Sequence, residues 1–505
     1  MEANKFVTAF YHETSKLAWE RLEPRGRKLD PALLLSRFRF YTGAPIRCLP
    51  KAPARPVPLS DLFSGHTLAV FPGPLQDLLS GLLWYSVAIS GYRHTPSGET
   101  TPLRVVPSAG NLHPVEVYLA TAALPGWDAG LYHYRVPDHT LEQRGTGNWV
   151  EWLSNLAGKK HRPDLIALLT VVPSRSAWKY GARAFRYCLL DAGHAVEALR
   201  LAGLALGLRV EVVGGFSDDA VTQKLKLTDE WPVAFLKFWL PTPCGLTGPP
   251  TPPALLPNEP SDAGAGSDLP PLLRQALEAT KASHGAPIQQ VDQRQSDANG
   301  ARLSPVELPG PAELRAPFDS VVRKRRSATE FDSQARPVRL DELAALLWAA
   351  WAPLTTDFSA TEELSRVEIH LFAHSVEQID PGVYRYCPSA RSLIPIRLGP
   401  QRSMARQLAF GQSLAGSASV TFVLVANLEA FWQAHGERGY RYAHLLAGII
   451  GHRLYLGAEA LGLRASGIGA YLDDDLQRYL ELPSTHQPLY LVACGFPISG
   501  FEPRD

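Results

Sequence analysis

Half a chain apart, this 505-residue protein repeats itself. Val115-Glu116-Val117-Tyr118-Leu119 resembles Val367-Glu368-Ile369-His370-Leu371, and Gly130-Leu131-Tyr132-His133-Tyr134 resembles Gly382-Val383-Tyr384-Arg385-Tyr386. Position 367 against 115 and position 382 against 130 give the same offset, 252. Further on, RAFRYCLLDAGHAVEALRLAGLALGLR from 183 matches RGYRYAHLLAGIIGHRLYLGAEALGLR from 438, an offset of 255. Asp218-Asp219 then fall on Asp473-Asp474. A colinear series of this kind predicts two copies of one structural unit.

Between the copies runs PTPCGLTGPPTPPALLPNEPSDAGAGSD, too rich in proline and glycine for a core element. The expected division is an N-terminal domain over 1–245, a connector over 246–310 and a C-terminal domain over 311–505. A short helix is expected at 272–283. Each copy mixes long helical patterns with apolar runs such as LIALLTVV and VTFVLVAN, so each reads as α+β rather than a regular βαβ alternation. A formal net charge of +1 argues against a nucleic-acid or acidic-membrane surface. The odd number of scattered cysteines argues for a reducing compartment, and they form no zinc pattern with the histidines. No signal-peptide pattern opens the sequence, and no apolar run suits a membrane span. A soluble cytoplasmic protein is therefore expected.

Within 177–194, AWKYGARAFRYCLLDAGH, the segment from Tyr187 onward carries apolar residues at helical spacing. Lys179 and Tyr180 lie between this helix and the apolar run Ile166 to Val172, in what reads as a strand-to-helix turn. Read alone, they suit a snorkelling lysine and a core-capping tyrosine. Upstream stands Arg104-Val-Val-Pro107-Ser108-Ala109-Gly110-Asn111-Leu-His113-Pro114. Together with GLYHY, these segments closely resemble the SagB-type dehydrogenases of the FMN-dependent nitroreductase superfamily. The second copy resembles the same superfamily through Arg325-Arg326-Ser327-Ala328-Thr329-Glu330-Phe331 and Gly467-Ile468-Gly469-Ala470-Tyr471-Leu472-Asp473-Asp474. Thr329 stands where that superfamily often has a basic residue.

The resemblance implies a mainly antiparallel sheet flanked by helices in each copy. It also implies an intramolecular version of the family's dimer, with FMN at the interface. In that arrangement one half supplies the RRS arginine and the glycine turn, and the other supplies the Pro-Ser-x-x-Asn loop. The first copy keeps Pro107, Ser108, Ala109, Gly110, Asn111, Lys179 and Tyr180. At those places the second has Ser359-Ala360-Thr361-Glu362-Glu363 and Ala434-His435. The second keeps Arg325, Arg326, Ser327, Gly467, Ile468, Gly469 and a terminal Arg504, whereas the first has no RRS-like stretch. The retained parts are the halves of one site, so one FMN per chain is expected between the domains.

Arg325 and Arg504 suit the phosphate dianion through charge-assisted hydrogen bonds, with Ser327 adding a hydroxyl. Ser108 and Asn111 suit the polar edge of the flavin, and the glycines allow close backbone approach. Arg104 is a further candidate for stabilising reduced flavin. The family's azoline dehydrogenases imply that Lys179 and Tyr180 form the proton-abstracting pair. His194, on an apolar helix face, reads as structural. The segment YHETSK near the start resembles one in SagB-type chains but suggests no mechanism.

The leading expectation is dehydrogenation of thiazoline or oxazoline rings in a peptide or peptide-like natural product. The substrate would be a small molecule or peptide, with a biosynthetic partner enzyme alongside. The chain would act as a monomeric pseudo-dimer or as a homodimer. An NAD(P)H-dependent nitro or quinone reductase, and a flavin-free interaction subunit, remain alternative readings.

Overall fold

The computed structural model describes residues 6–498 apart from 22–28, 30–35, 65–67, 69–70, 72, 95–97, 99, 125, 159–161, 241–250, 263–268, 283–303 and 359–366. Arg504 and the 359–363 segment thus lie outside the described residues. Two antiparallel sheets carry the chain. The first runs, edge to edge, Ala254–Leu255, Thr140–Thr146, Gly130–Arg135, Val115–Thr121, Leu165–Val171, Trp231–Trp239 and Arg209–Val213, with Ile46–Cys48 also paired to Thr140–Thr146. The second runs Val306–Glu307, Ser392–Leu398, Gly382–Cys387, Val367–Ala373, Val420–Asn427, His486–Gly495 and Arg464–Ile468. Strand for strand, the order is the same. Val115–Thr121 and Leu165–Val171 are buried along their whole length. Sheet faces covered on both sides explain their continuous apolar text.

Five helices matter for the site: α1 (Val7–Thr14), α2 (Pro173–Tyr180), α3 (Ala184–Ala205), α4 (Phe318–Lys324) and α5 (Arg438–Ala460). The sequence predicts one apolar stripe on α3. In the fold every residue of α3 except Leu204 is buried, because the helix lies between its own sheet and the second domain. Helices α3 and α5 cross at glycines. A Cβ on Gly193 would sit 2.3 Å from the Leu445 carbonyl oxygen, and one on Gly448 would sit 2.3 Å from that of Leu190. Glycine inside a helix costs about 1 kcal/mol relative to alanine, and here backbone-to-backbone packing requires it. The pair is reciprocal, so a pseudo-twofold axis passes between the two glycines.

Within 246–310, expected as a connector, the described residues include short strands and a helix. Ala254–Leu255 extends the first sheet, Glu259–Pro260 pairs with Tyr41–Thr42, and Pro271–Ala279 forms a helix that buries Leu273, Ala276 and Leu277. Proline there sits at an edge strand and at a helix start, the places where a missing N–H costs nothing. Among the described residues no helix is long and apolar enough to cross a membrane.

Candidate active site

Two pairs of arginines tie the halves together. Arg183 and Arg186 at the start of α3 reach Asp473 of the second domain at 2.9 and 2.7 Å. Their counterparts Arg438 and Arg441 on α5 reach Asp218 of the first, the latter at 2.7 Å. Burial pushes both carboxyls up, but their arginines outweigh it and hold them below the usual aspartate range. The segment YHETSK acquires its mechanism here. Helix α1 lies over the Asp473 cluster: Arg186 donates to the His12 carbonyl at 2.6 Å and Arg183 to that of Ser15 at 2.9 Å. The Leu17 N–H donates to Asp473 at 2.9 Å, and Lys16 pairs with Asp474 at 2.8 Å.

On one side of the axis the RRS stretch meets the Pro107–Asn111 loop. Arg325, directly after α4, is 3% exposed. Its Nε donates to the Val105 carbonyl at 2.7 Å and Nη2 to that of Arg104 at 3.0 Å. Among the described residues its Nη1 is buried without a partner. Burial lowers Arg325 to about 10, which leaves it charged at neutral pH. Arg326 turns instead to the Ile89–His94 strand, donating to the Ser90 carbonyl at 2.8 Å. Arg104 spends its guanidinium on the carbonyls of Val87 and Val115, at 2.7 and 3.3 Å. Arg326 thus crosses the seam and Arg104 braces its own domain, while Arg325 keeps a spare donor.

Ser327 lies 3.4 Å from the Tyr455 hydroxyl, which accepts the Gly467 N–H at 2.6 Å. A Cβ on Gly467 would sit 1.9 Å from the Tyr490 hydroxyl, and one on Gly469 would sit 2.0 Å from the ring of Tyr187 on α3. Neither glycine tolerates a side chain. Ile468 between them points into the second domain's core.

The loop is held from both ends. The Ser108 hydroxyl donates to Asp191 on α3 at 2.7 Å, and the Ala109 N–H donates to it at 3.1 Å. Asn111 uses both ends of its amide locally, donating to the Pro102 carbonyl at 3.0 Å and meeting His113 Nε2 at 2.7 Å. Gly110 and Asn111 adopt φ of 61° and 57°, the left-handed region that glycine and asparagine accept best. A Cβ on Gly110 would lie 2.7 Å from the Tyr180 hydroxyl and 3.3 Å from Lys179 Nζ. Loop and Lys–Tyr pair are therefore neighbours.

The pair itself is not in a turn. It closes α2, which Pro173 starts at its first positions and Gly181, at φ 57°, ends. Lys179 is exposed and Tyr180 half-buried, its ring 4.4 Å from that of Tyr187. Burial first, then Tyr187 and Asp191, push the Tyr180 hydroxyl up, so it stays a donor at neutral pH. His194 is buried against His452 and Tyr490, and burial keeps it neutral.

Asp191, Tyr455 and Tyr490 were missed in the sequence. Asp191 had a legible signal, since a carboxylate one helical turn from Tyr187 on a buried face needs a reason. The two tyrosines had none, as only the packing of α5 against the second sheet brings them to the glycine turn.

Across the axis the equivalent place is closed. Gly214 stands to Tyr442 as Gly469 does to Tyr187, and His435 lies 5.0 Å from Tyr442 where Tyr180 would stand. Phe358 lies flat on Tyr442 at 4.3 Å and 9°. Asp357 accepts the N–H groups of Gly214 and Gly215 at 2.6 and 2.9 Å.

The nitroreductase family model matches residues 76–238 and again 322–496. Two proteins that carry the name "putative nitroreductase" are similar to the chain. The crystal structure of the one from Anabaena variabilis is 26% identical, with a TM-score of 0.78 over 97% of this chain and 99% of that one. The other, MJ1384 of Methanocaldococcus jannaschii, is 29% identical over 38% of this chain and 95% of its own. The microcin B17-processing protein McbC of Escherichia coli is 27% identical over 25% of this chain and 48% of its own. The chain, with two antiparallel sheet-and-helix domains that each match the family, belongs to the nitroreductase family and is an oxidoreductase of that family.

Proposed function

We propose that the chain is an FMN-dependent dehydrogenase of the SagB type that oxidises azoline rings in a peptide or peptide-like natural product. One observation carries the reading: a charged, buried arginine with a spare donor, Arg325, docks on the backbone just before a loop that touches Lys179 and Tyr180. The residues fit a flavin mononucleotide. Arg325 Nη1 offers a charge-assisted hydrogen bond to a phosphate, with Ser327 beside it. Gly467 and Gly469 let the Tyr490 hydroxyl and the Tyr187 ring close against the glycine turn, and Ser108 and the loop backbone suit the flavin's polar edge. Asn111 serves by holding the loop. The closed pocket at Phe358 supports one flavin per chain.

When bound, the flavin supplies the hydride acceptor that dehydrogenation needs. The chain's own share is the proton. The Tyr180 hydroxyl stays protonated and donates beside Lys179, and the two together handle the proton that leaves the ring carbon. The name of McbC, a microcin B17-processing protein, supports a peptide substrate. TfxB of Rhizobium leguminosarum, named for trifolitoxin processing and 30% identical over 28% of this chain and 41% of its own, supports the same reading.

The test is a thiazoline-bearing peptide offered to purified yellow protein. Replacing Lys179 and Tyr180 together, with Ala and Phe, should abolish turnover and leave flavin bound. Turnover that survives overturns the base assignment. Consumption of NAD(P)H with a nitroaromatic, without azoline oxidation, turns the reading to a reductase. A colourless protein that takes up no FMN overturns the flavin reading altogether.

A further inference from the structure

Three carboxylates buried in this molecule's helical seam each hold two arginines: Asp473 with Arg183 and Arg186, Asp218 with Arg438 and Arg441, and Glu197 with Arg200 and Arg453. Asp191 is the exception. It is 6% exposed, and among the described residues no guanidinium or ammonium group pairs with it. Its partners are the Ser108 hydroxyl and the Ala109 N–H, both in the loop that flanks Lys179 and Tyr180. A buried carboxylate without a cation costs the fold stability. The second copy shows that the fold does not need one here, because the equivalent position on α5 is Leu446, buried at 3%.

We propose that Asp191 is a positioning residue of the site, whose ionised form draws the Ser108 hydroxyl and the Ala109 N–H inward and so sets the 107–111 loop for its ligand. The hydroxyl accounting makes the state of Asp191 matter. Ser108 Oγ accepts the His113 N–H at 2.9 Å, so its single hydrogen is committed to Asp191 while the carboxylate is charged. Once Asp191 is protonated, that hydrogen-bonding sense reverses and the charge-assisted hold on the Ala109 N–H is lost. Burial lifts Asp191 to about 7, against the hydrogen bonds from Ser108 and Ala109 and the charge of Arg104. The other titratable groups facing it are Tyr180 from α2, Cys188 on its own helix and Tyr490 from the second sheet, all of which burial keeps protonated. The switch therefore falls near neutrality, with the loop held above it and released below it.

The site reading enters only one arm of the test. In the first arm, hydrogen exchange of the 107–113 backbone is compared on either side of neutral pH, corrected for intrinsic rates. The wild-type loop should exchange faster on the acid side, whereas Asp191→Leu and Asp191→Asn should exchange fast on both sides. The leucine variant copies the second domain, and its melting temperature should match or exceed that of the wild type on the alkaline side. In the second arm, FMN titrated into these proteins on the alkaline side should bind about tenfold more weakly to either variant, the loss expected for hydrogen bonds to a charged acceptor. The phosphate's own titration is common to all three. Loop protection in both variants equal to wild type overturns the proposal. If wild type takes up no FMN, the flavin reading fails while the exchange arm still decides for or against Asp191.

Discussion

The two sides of the pseudo-twofold axis share a frame and differ in what fills it. On both sides an arginine pair from one long helix grips an aspartate of the opposite domain, and a glycine lies against the ring of a helical tyrosine. On the Arg325 side the frame is lined by a spare cationic donor, a left-handed loop and an exposed lysine. On the other, Asp357 occupies the glycine N–H groups and Phe358 covers the tyrosine ring. The frame is conserved within the chain because it makes the interface of two like domains, where each contact is met twice. The lining is free to diverge. On the function proposed above, one side has become a site and the other part of the core.

Four perturbations break or sharpen that contrast. The largest effect is expected from the shared frame. Asp473→Ala and Asp218→Ala each strand two buried arginines and should each cost about 3–5 kcal/mol in urea unfolding. Only Asp473→Ala should also weaken FMN binding, since Asp473 ends the segment that follows Gly469. Equal flavin loss in both variants would mean that the sides are not functionally distinct. Phe358→Ala comes next, at about 3 kcal/mol for a buried phenylalanine removed. FMN content by absorbance should stay at one per chain, because among the described residues nothing equivalent to Arg325 faces that side; a second bound flavin would break the comparison. Arg325→Gln should raise the FMN dissociation constant about thirtyfold, or about 2 kcal/mol, with a smaller change in melting temperature. The smallest effect concerns pH. Asp218 and Asp473 have carboxyls held below their unfolded value, so their stabilisation is present above that value and is lost as pH falls through the folded one. Unfolding free energy should drop by about 1 kcal/mol per pH unit per group only below about pH 4. Asp218→Asn and Asp473→Asn should flatten that slope by similar amounts.

The duplicated architecture was legible because repeated text at a constant offset needs no tertiary information. The complementary loss of motifs likewise told which halves belong together, and Arg325 does reach the backbone before Pro107. Other readings depended on partners that sequence does not display. Arg104 and Arg326 look as chemically able as Arg325 in one dimension, yet Arg104 donates to the Val87 and Val115 carbonyls and Arg326 turns both Nη groups to Ser90 and nearby backbone. Asn111 reads as a ligand contact, and its amide in the fold meets the Pro102 carbonyl and His113. Lys179 and Tyr180 read as a turn in the sequence, yet they end a short helix bounded by Pro173 and Gly181.

Local text was enough for two like α+β domains and for which copy kept which parts, since helical and strand periodicity, breakers and repeats are properties of neighbouring residues. What only the folded molecule decided is the fate of each polar group: which arginine has a donor left over, which aspartate is buried without a cation, and which of two equivalent pockets is plugged by Phe358. Those outcomes depend on contacts between residues up to hundreds of positions apart, where burial strips away water and every hydrogen bond must be met by something the chain itself brings.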